Sequence, residues 1–153
     1  MYQWKCLPFE SLSNHQLYEL LKLRVDVFVV EQNCPYPELD GKDTLTSTYH
    51  LLGYQGDELV ACARLLDKDV SYAGASSIGR IATKASARGH RLGHKLMEQA
   101  LTNMETLFPD HVIEIGAQEH LQGFYNQHGF IAYSDSYLED GIPHIDMRRA
   151  VSQ

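Results

Sequence analysis

The sequence predicts a single α/β domain of the α+β type, with helices on both faces of a mixed, mostly antiparallel sheet that contains one parallel strand pair. Three observations carry this prediction. The chain has 153 residues, 44% of them hydrophobic, which suits one compact domain with a sizeable core. Two apolar segments, 48–54 and 59–66, flank a Gly-Asp turn and predict an antiparallel hairpin. A strand, a helix and a strand follow one another between 77 and 115, and such a unit has a right-handed crossover and parallel strands.

The N-terminal part is predicted to hold one strand and one helix before the hairpin. Residues 2–6 form the strand. Ser13 and Gln16 have the spacing of a capping box, so the helix begins just after Ser13. One face of this helix carries Leu17, Leu20, Leu21 and Arg24.

A second, longer helix follows the strand at 77–83. Its apolar side chains form a contiguous stripe, which indicates a face packed in the core. Pro109 ends this helix, a β-branched strand follows at 112–115, and the segments 131–137 and 144–149 supply the last two strands. The chain shows no linker or internal repeat, so we predict one domain over residues 1–153. The stripe consists of Leu92, Leu96, Met97, Ala100, Leu101 and Met104.

Composition excludes several classes of partner. The formal net charge of −7 argues against nonspecific binding to nucleic acid. No apolar run is long enough to span a bilayer, and the first ten residues lack the pattern of a secretory signal. Cys6, Cys34 and Cys62 are widely spaced and odd in number, which favours reduced thiols. We therefore expect a cytoplasmic protein without nucleic-acid or membrane partners.

A basic, glycine-bearing turn joins the strand at 77–83 to the second helix. It has no acidic residue between positions 84 and 95. The free N–H groups and dipole of a helix start favour a pyrophosphate, and Gly89 and Gly93 would let it approach the main chain. The chain has no GxxxxGK[ST] or GxGxxG motif, which excludes Walker and Rossmann nucleotide sites. A helix start that is basic only because it faces solvent is the alternative. The basic residues are Lys84, Arg88, Arg91 and Lys95.

This turn resembles RxxGxG/A, the pyrophosphate signature of the GNAT N-acetyltransferase superfamily. Arg88, Arg91 and Gly93 lie at motif positions, and Arg91 replaces the family's middle glycine, where it can add a phosphate contact. The segment 112–130 is similar to the family pattern NxxAxxxYxxxGF. It carries Gln118 in place of Asn, Leu121 in place of Ala, and then Tyr125, Gly129 and Phe130.

Two further segments, 24–41 and 139–147, resemble the ElaA-like subfamily, so the resemblance covers most of the chain. It implies a GNAT-like sheet whose parallel strands splay apart, with acetyl-CoA as co-substrate. It also implies that Gln118 and Tyr125 contribute to the cofactor site and that the main chain of Ile81, Ala82 and Thr83 binds pantetheine. The pyrophosphate would be held by Arg88, Gly89, His90, Arg91, Leu92, Gly93 and His94.

The implied chemistry is attack of a primary amine on a thioester, which needs an acid for the leaving sulfur and a base for the amine. Tyr125 is the candidate acid, because a phenol keeps its proton at neutral pH; a core tyrosine is the alternative. The candidate bases are Glu31, Glu114 and His144, each of which could instead be a solvated or structural residue. The N–H near Ala82 could polarise the carbonyl.

Several alternatives stay open. The acceptor is a small molecule, a peptide or a protein, and the acidic residues near Glu31 either attract a cationic amine or form a solvated loop. A non-catalytic acyl-CoA sensor and a transferase to hydroxyls would share the cofactor site. His90 and His94 have a metal-ligand spacing, but no HExxH motif or Cys/His partner accompanies them, and we expect no metal. An exposed C-terminal strand could pair two protomers in a homodimer.

Overall fold

A computed structural model describes residues 1–151 and contains one eight-stranded sheet with three α-helices. The strands are β1 (Tyr2–Pro8), β2 (Tyr49–Gln55), β3 (Glu58–Leu66), β4 (Ala75–Thr83), β5 (Val112–Gln118), β6 (Ile131–Ala132), β7 (Tyr137–Glu139) and β8 (Ile142–Arg149). The helices are α1 (Asn14–Val25), which continues as a π-helical segment (Asp26–Glu31), α2 (Leu92–Leu107) and α3 (Gln122–Asn126). Short 3₁₀ turns occupy Phe9–Ser11, Ala85–Ala87 and Glu119–Leu121.

The order of strands in the sheet is β1-β2-β3-β4-β5-β8-β6, and β7 also pairs with β8. Neighbours are antiparallel except β4 and β5, which are parallel and joined through α2. This arrangement confirms the predicted fold class, with its hairpin and its strand-helix-strand unit.

The two faces of the sheet bury separate apolar clusters. On one face the predicted stripe of α2 is buried, from Leu92 through Met104, together with Tyr125 of α3. On the other face α1 packs Leu20 and Leu23 against β2, β3 and Ala82 of β4. Helices thus cover both faces of the sheet around β4, and β4 and β5 both line the site described below.

Local signals placed α1 correctly. Ser13 Oγ accepts the N–H of Gln16 at 3.1 Å, and the Gln16 side chain accepts the N–H of Ser13 at 2.9 Å. The predicted capping box is therefore present. Within residues 1–151, none of the helices combines the length and hydropathy that a membrane span needs.

Two predictions for the C-terminal part were wrong. The segment 131–137 is not one strand, because β6 and β7 are short and an irregular stretch, 133–136, separates them. The last strand, β8, is not an exposed edge, since it pairs with β5 on one side and with β6 and β7 on the other. Its main-chain groups are thus already used, and it cannot pair with a second protomer in the way expected.

Candidate active site

A cleft opens where the two parallel strands diverge. β4 and β5 pair only at Ala75 with Val112 and Ser76 with Ile113, so their C-terminal halves lie apart. The gap is a cavity of about 980 Å³ that reaches from the π-helical segment to β8. The splayed pair implied by the family resemblance is therefore present, and the cleft lies at the carboxyl ends of the two strands.

The edge of β4 that faces the cleft offers unpaired main-chain groups. The N–H of Lys84 donates to the carbonyl of Val60 in β3 at 2.8 Å. Because main-chain groups in a strand point to alternate edges, Ala82 also bonds to β3, whereas Ile81 and Thr83 turn toward the gap. The N–H best placed to meet a carbonyl in the cleft is thus that of Ile81 or Thr83 and not that of Ala82.

The turn before α2 has the geometry of an anion-binding loop. Gly89, His90 and Arg91 have consecutive positive φ angles of 109°, 52° and 59°. Within residues 1–151 their N–H groups have no acceptor, and neither do those of Gly93 and His94 in the first turn of α2. Such a curved run of free N–H groups at a helix start binds anions.

Leu92 differs from its neighbours in this turn. Its N–H donates to the carbonyl of Gly89 at 3.1 Å, and its side chain is buried in the core. Leu92 therefore anchors the turn to the core, and its N–H is not available to an anion. At Gly93 a Cβ would be tolerated, since it would lie in ordinary van der Waals contact, 3.6 Å from the ring of Phe124.

Arg88 is already occupied by an ion pair. Its guanidinium donates to both carboxylate oxygens of Glu31, at 2.5 and 2.8 Å, and to the carbonyl of Thr83 at 2.9 Å. The hydrogen bond from Arg88 lowers the pKa of Glu31, which is partly exposed. The structure thus brings a predicted base and a predicted pyrophosphate ligand together, and a paired carboxylate of low pKa is a weak base.

Tyr125 lies at the cleft with a hydroxyl that no group within residues 1–151 bonds. Its ring is buried against Phe124 and Phe130, at centroid distances of 5.2 and 6.0 Å. Burial raises the pKa of Tyr125 to about 12. The side chain is therefore fixed by packing, protonated at neutral pH, and has a free hydrogen-bonding group.

His144 and Glu114 have different surroundings. The Nδ1 of His144 lies 2.7 Å from the carbonyl of Ile142, which can only accept, so in the neutral ring Nδ1 carries the proton and Nε2 the lone pair. His144 lines the cleft, and its Nε2 lies 3.6 Å from a carboxylate oxygen of Glu139. Glu114 instead accepts from Arg148 at 2.7 Å and from Tyr133 at 3.1 Å, and it does not line the cleft.

The remaining predicted site residues lie around the rim. Gln118 lines the cleft and donates to the side chain of Gln32 at 3.2 Å. His90 is exposed, while His94 Nδ1 lies 2.9 Å from His128 Nε2 and its ring packs on Phe124. No group of three metal-ligating side chains occurs among residues 1–151.

Sequence reasoning missed a group of polar side chains that line the cleft, Tyr72, Tyr137 and Asp146. Tyr137 donates to Asp146 at 2.6 Å, and the hydroxyls of Tyr72 and Tyr137 would each lie 3.1 Å from a Cβ added to Gly116. Asp146 pairs with Gly116 across β5 and β8. Strand alternation could have identified Asp146, because it lies two positions after the candidate base His144 and therefore shares its face of the strand.

Comparison with known proteins agrees with this geometry. The family described as acetyltransferase (GNAT) domain matches residues 24–151. The protein ElaA of Escherichia coli is 46% identical over 153 residues, which is 100% of this chain and 99% of that one. A UPF0039 protein of Mycobacterium bovis is 45% identical over 141 residues, covering 92% and 88% of the two chains.

Solved structures give the same result. An acyl-CoA N-acyltransferase from Pseudomonas aeruginosa superposes with a TM-score of 0.92 at 47% identity, covering 98% of this chain and 100% of that one. The crystal structure of E. coli ElaA gives 0.91 at 46% identity, covering 97% and 99%. The fold and cleft therefore define an acyl-CoA N-acyltransferase. The chain belongs to the GNAT acetyltransferase family and is similar to ElaA. The predictions of the family and of an enzyme are confirmed.

Proposed function

We propose that the enzyme transfers the acetyl group of acetyl-CoA to a primary amine of a small molecule or peptide. The observation that supports this most is the meeting of three features at one cleft. They are a free strand edge, a loop of unbonded N–H groups, and the unpartnered hydroxyl of Tyr125.

The co-substrate is assigned along β4 and the start of α2. Ile81 and Thr83 offer main-chain groups to pantetheine, and the N–H groups from Gly89 to His94, other than that of Leu92, would hold the pyrophosphate. Arg88 and Arg91 add positive charge there, and Gln118 lies at the rim. The pyrophosphate competes with Glu31 for the Arg88 guanidinium, because both are anions seeking the same fork of N–H donors.

Each protein group has one role in the transfer. The N–H of Ile81 polarises the thioester carbonyl, and the amine nitrogen attacks its carbon as the C–S bond breaks. Tyr125 donates its proton to the leaving sulfur, and the products are the amide and the free thiol of CoA. The Nε2 of His144, 3.6 Å from a carboxylate oxygen of Glu139, takes the proton that turns the acceptor ammonium into the attacking amine. The second proton, which the nitrogen loses as the amide forms, replaces the one that Tyr125 gave to the sulfur.

We assign the base to His144 because the alternatives are engaged elsewhere. Glu31 is held by Arg88, and Glu114 by Arg148 and Tyr133. The acyl group is proposed to be acetyl because the family model that matches residues 24–151 describes an acetyltransferase. We also propose a cytoplasmic location, supported by the reduced state of all three cysteines and the use of acyl-CoA.

Thermal unfolding with separate ligands tests the cofactor assignment. Acetyl-CoA, butyryl-CoA and CoA are compared with NAD and ATP as controls. Saturation at 100 times the dissociation constant stabilises the folded state by about 2.7 kcal/mol, which raises Tm by roughly 5 to 10 °C in a domain of this size. Equal shifts with NAD, or none with CoA species, would contradict the assignment.

Product detection tests the transfer. Panels of amines and of alcohols are incubated with acetyl-CoA, and mass spectrometry looks for products heavier by one acetyl group. Acetylated amines are expected, whereas products from alcohols alone would show a transferase to hydroxyls. A cofactor-dependent Tm shift without any acetylated product would contradict the proposed reaction.

A further inference from the structure

Two sets of side chains with opposite charge line the part of the cleft where the acceptor would bind, which is called the acceptor end below. The basic wall consists of Lys42, Arg64 and Arg80, from the segment after the π-helix and from β3 and β4. The acidic wall consists of Glu139, Asp140 and Asp146, from β7, the turn after it and β8. This division of charge indicates which kind of molecule can bind between the two walls.

The basic wall keeps an excess of positive charge after its internal ion pairs are counted. Three arginines, the two of the wall and the buried Arg24 behind them, pair with three carboxylates, so the excess is the charge of Lys42. Lys42 takes no part in these ion pairs, and the only bond of its ammonium group within residues 1–151 is to the hydroxyl of Ser71 at 2.9 Å. The carboxylates are Glu38, Asp40 and Asp43.

Donors of the basic wall are also left over. The side chain of Arg64 is only 4% exposed, and its buried Nε has no hydrogen-bond acceptor within residues 1–151. Arg80 uses its Nε and Nη2 on Glu38 and Asp40, which leaves its Nη1 without a partner in the same part of the chain. A buried donor without an acceptor is unfavourable, so a ligand that accepts from it is favoured.

Arg80 has an unusual backbone as well. It lies in a bulge where β4 has two residues, Arg80 and Ile81, opposite Ala63 of β3, and its φ is 49°. A left-handed arginine within a strand persists only where its surroundings fix it, and such residues cluster at functional sites. Here the bulge directs the guanidinium toward the acceptor end of the cleft.

The acidic wall lacks the corresponding cations. Within residues 1–151 no lysine or arginine pairs with Glu139, Asp140 or Asp146, and the nearest basic partner is His144, 3.6 Å from Glu139. The hydroxyls of Tyr72 and Tyr137 pack close to Gly116 on this side, and Tyr137 donates to Asp146 without neutralising its charge. An ammonium group is therefore favoured on this side, next to the proposed base.

We propose that the acceptor is a zwitterionic amino acid. Its ammonium group lies at the acidic wall, where His144 takes a proton from it, and its carboxylate accepts from Lys42 and from the free Nη1 of Arg80 at the basic wall. This inference rests on the proposed function and adds the class of acceptor to it. Removal of the acceptor carboxylate lowers kcat/KM by about ten- to a hundredfold, as expected for the loss of charge-assisted hydrogen bonds in a buried site.

The test compares each amino acid with its decarboxylated amine and its carboxamide, using acetyl-CoA and the full chain. The wild-type enzyme should prefer the amino acid, and Lys42→Met should remove most of that preference. Lys22→Met is the matched control, because Lys22 is exposed on α1 and pairs only with Asp26. Calorimetry of the same compounds with the CoA complex adds a readout that does not need turnover.

The outcomes are separable. Equal use of acid, amine and carboxamide would overturn the inference and leave N-acetylation standing. Binding of none of the amino acids to the CoA complex at millimolar concentration would also overturn it. Failure of CoA and acetyl-CoA to raise Tm would instead overturn the proposed function on which the inference rests.

Discussion

Substitution of Tyr125 by phenylalanine separates the proposed acid from the fold. The change removes one oxygen and keeps the ring against Phe124 and Phe130. The lost hydroxyl has no partner within residues 1–151, so the free energy of unfolding should change by less than about 1 kcal/mol, and Tm by less than about 4 °C. Loss of a general acid lowers kcat by about 10²- to 10⁴-fold, equivalent to about 3 to 5 kcal/mol in the barrier.

The assay for Tyr125→Phe measures kcat, KM for the amine, and the dissociation constant of acetyl-CoA, beside Tm. Tyr133→Phe is the matched control, because that hydroxyl bonds Glu114 outside the cleft. Burial raises the pKa of Tyr125 to about 12, so the acid stays protonated and wild-type kcat should not fall between about pH 8 and 10 on its account. A Phe variant with unchanged kcat, or with a much lower Tm, would refute the reasoning.

Four other substitutions have defined outcomes. Glu31→Gln should leave kcat unchanged and should not weaken acetyl-CoA binding, because it frees Arg88. Arg88→Ala should weaken acetyl-CoA binding. A large fall in kcat for Glu31→Gln in steady-state kinetics would identify Glu31 as the base. Arg24→Met should lower the free energy of unfolding in denaturant melts by about 3 to 5 kcal/mol, since it removes the buried cation that Glu38 and Asp43 share and leaves three carboxylates to two arginines. A loss under about 1 kcal/mol would contradict this. Burial alone would raise the pKa of Asp40, but hydrogen bonds from Arg64 and a main-chain N–H lower it well below its usual range. The pKa of Asp40 is therefore lower in the folded state than in the unfolded state, so the ionised carboxylate stabilises the fold above about pH 4 and this stabilisation is lost as pH falls. Asp40→Asn should make Tm fall less steeply at acid pH. An unchanged dependence of Tm on acid pH would contradict the low pKa of Asp40.

Local patterns were sufficient for most of the fold. The capping box at Ser13, the hairpin and the stripe of α2 each depend on residues a few positions apart, and the structure contains all three. The segment 131–137 failed because its β-like composition gave no sign that β8 would pair with two short strands in succession.

The candidate site depends on contacts that no local pattern encodes. Glu31 and Arg88 are 57 positions apart and meet only because the π-helical segment ends beside the turn before α2. The family resemblance predicted a pyrophosphate site in the turn before α2, but it gave no sign that Arg88 would be paired. The charges of the acceptor end come from four separate segments, so their division into two walls is visible only in the fold.

The segment 32–48 explains why so many charges are buried beside the cleft. It contains neither helix nor strand, and a loop of this length in a compact domain needs other contacts to hold it. Arg24 supplies them by bonding Glu38 at 2.5 Å and Asp43 at 2.6 Å from inside α1. Cys34 adds a contact to the carbonyl of Asp140 at 3.5 Å, which ties the segment to the acidic wall.

Burial of these ion pairs is weak evidence for stability, because desolvation offsets much of the attraction between the charges. Their effect on position is more direct. Arg24 fixes Glu38, Glu38 holds the Nε of Arg80 at 2.9 Å, and the bulge of β4 places that arginine at the acceptor end. An apolar core in the same place could hold the segment 32–48 equally well, but it would leave no aligned donors for a carboxylate. The buried charges therefore connect the packing of α1 with the position of Arg80 in the proposed acceptor site.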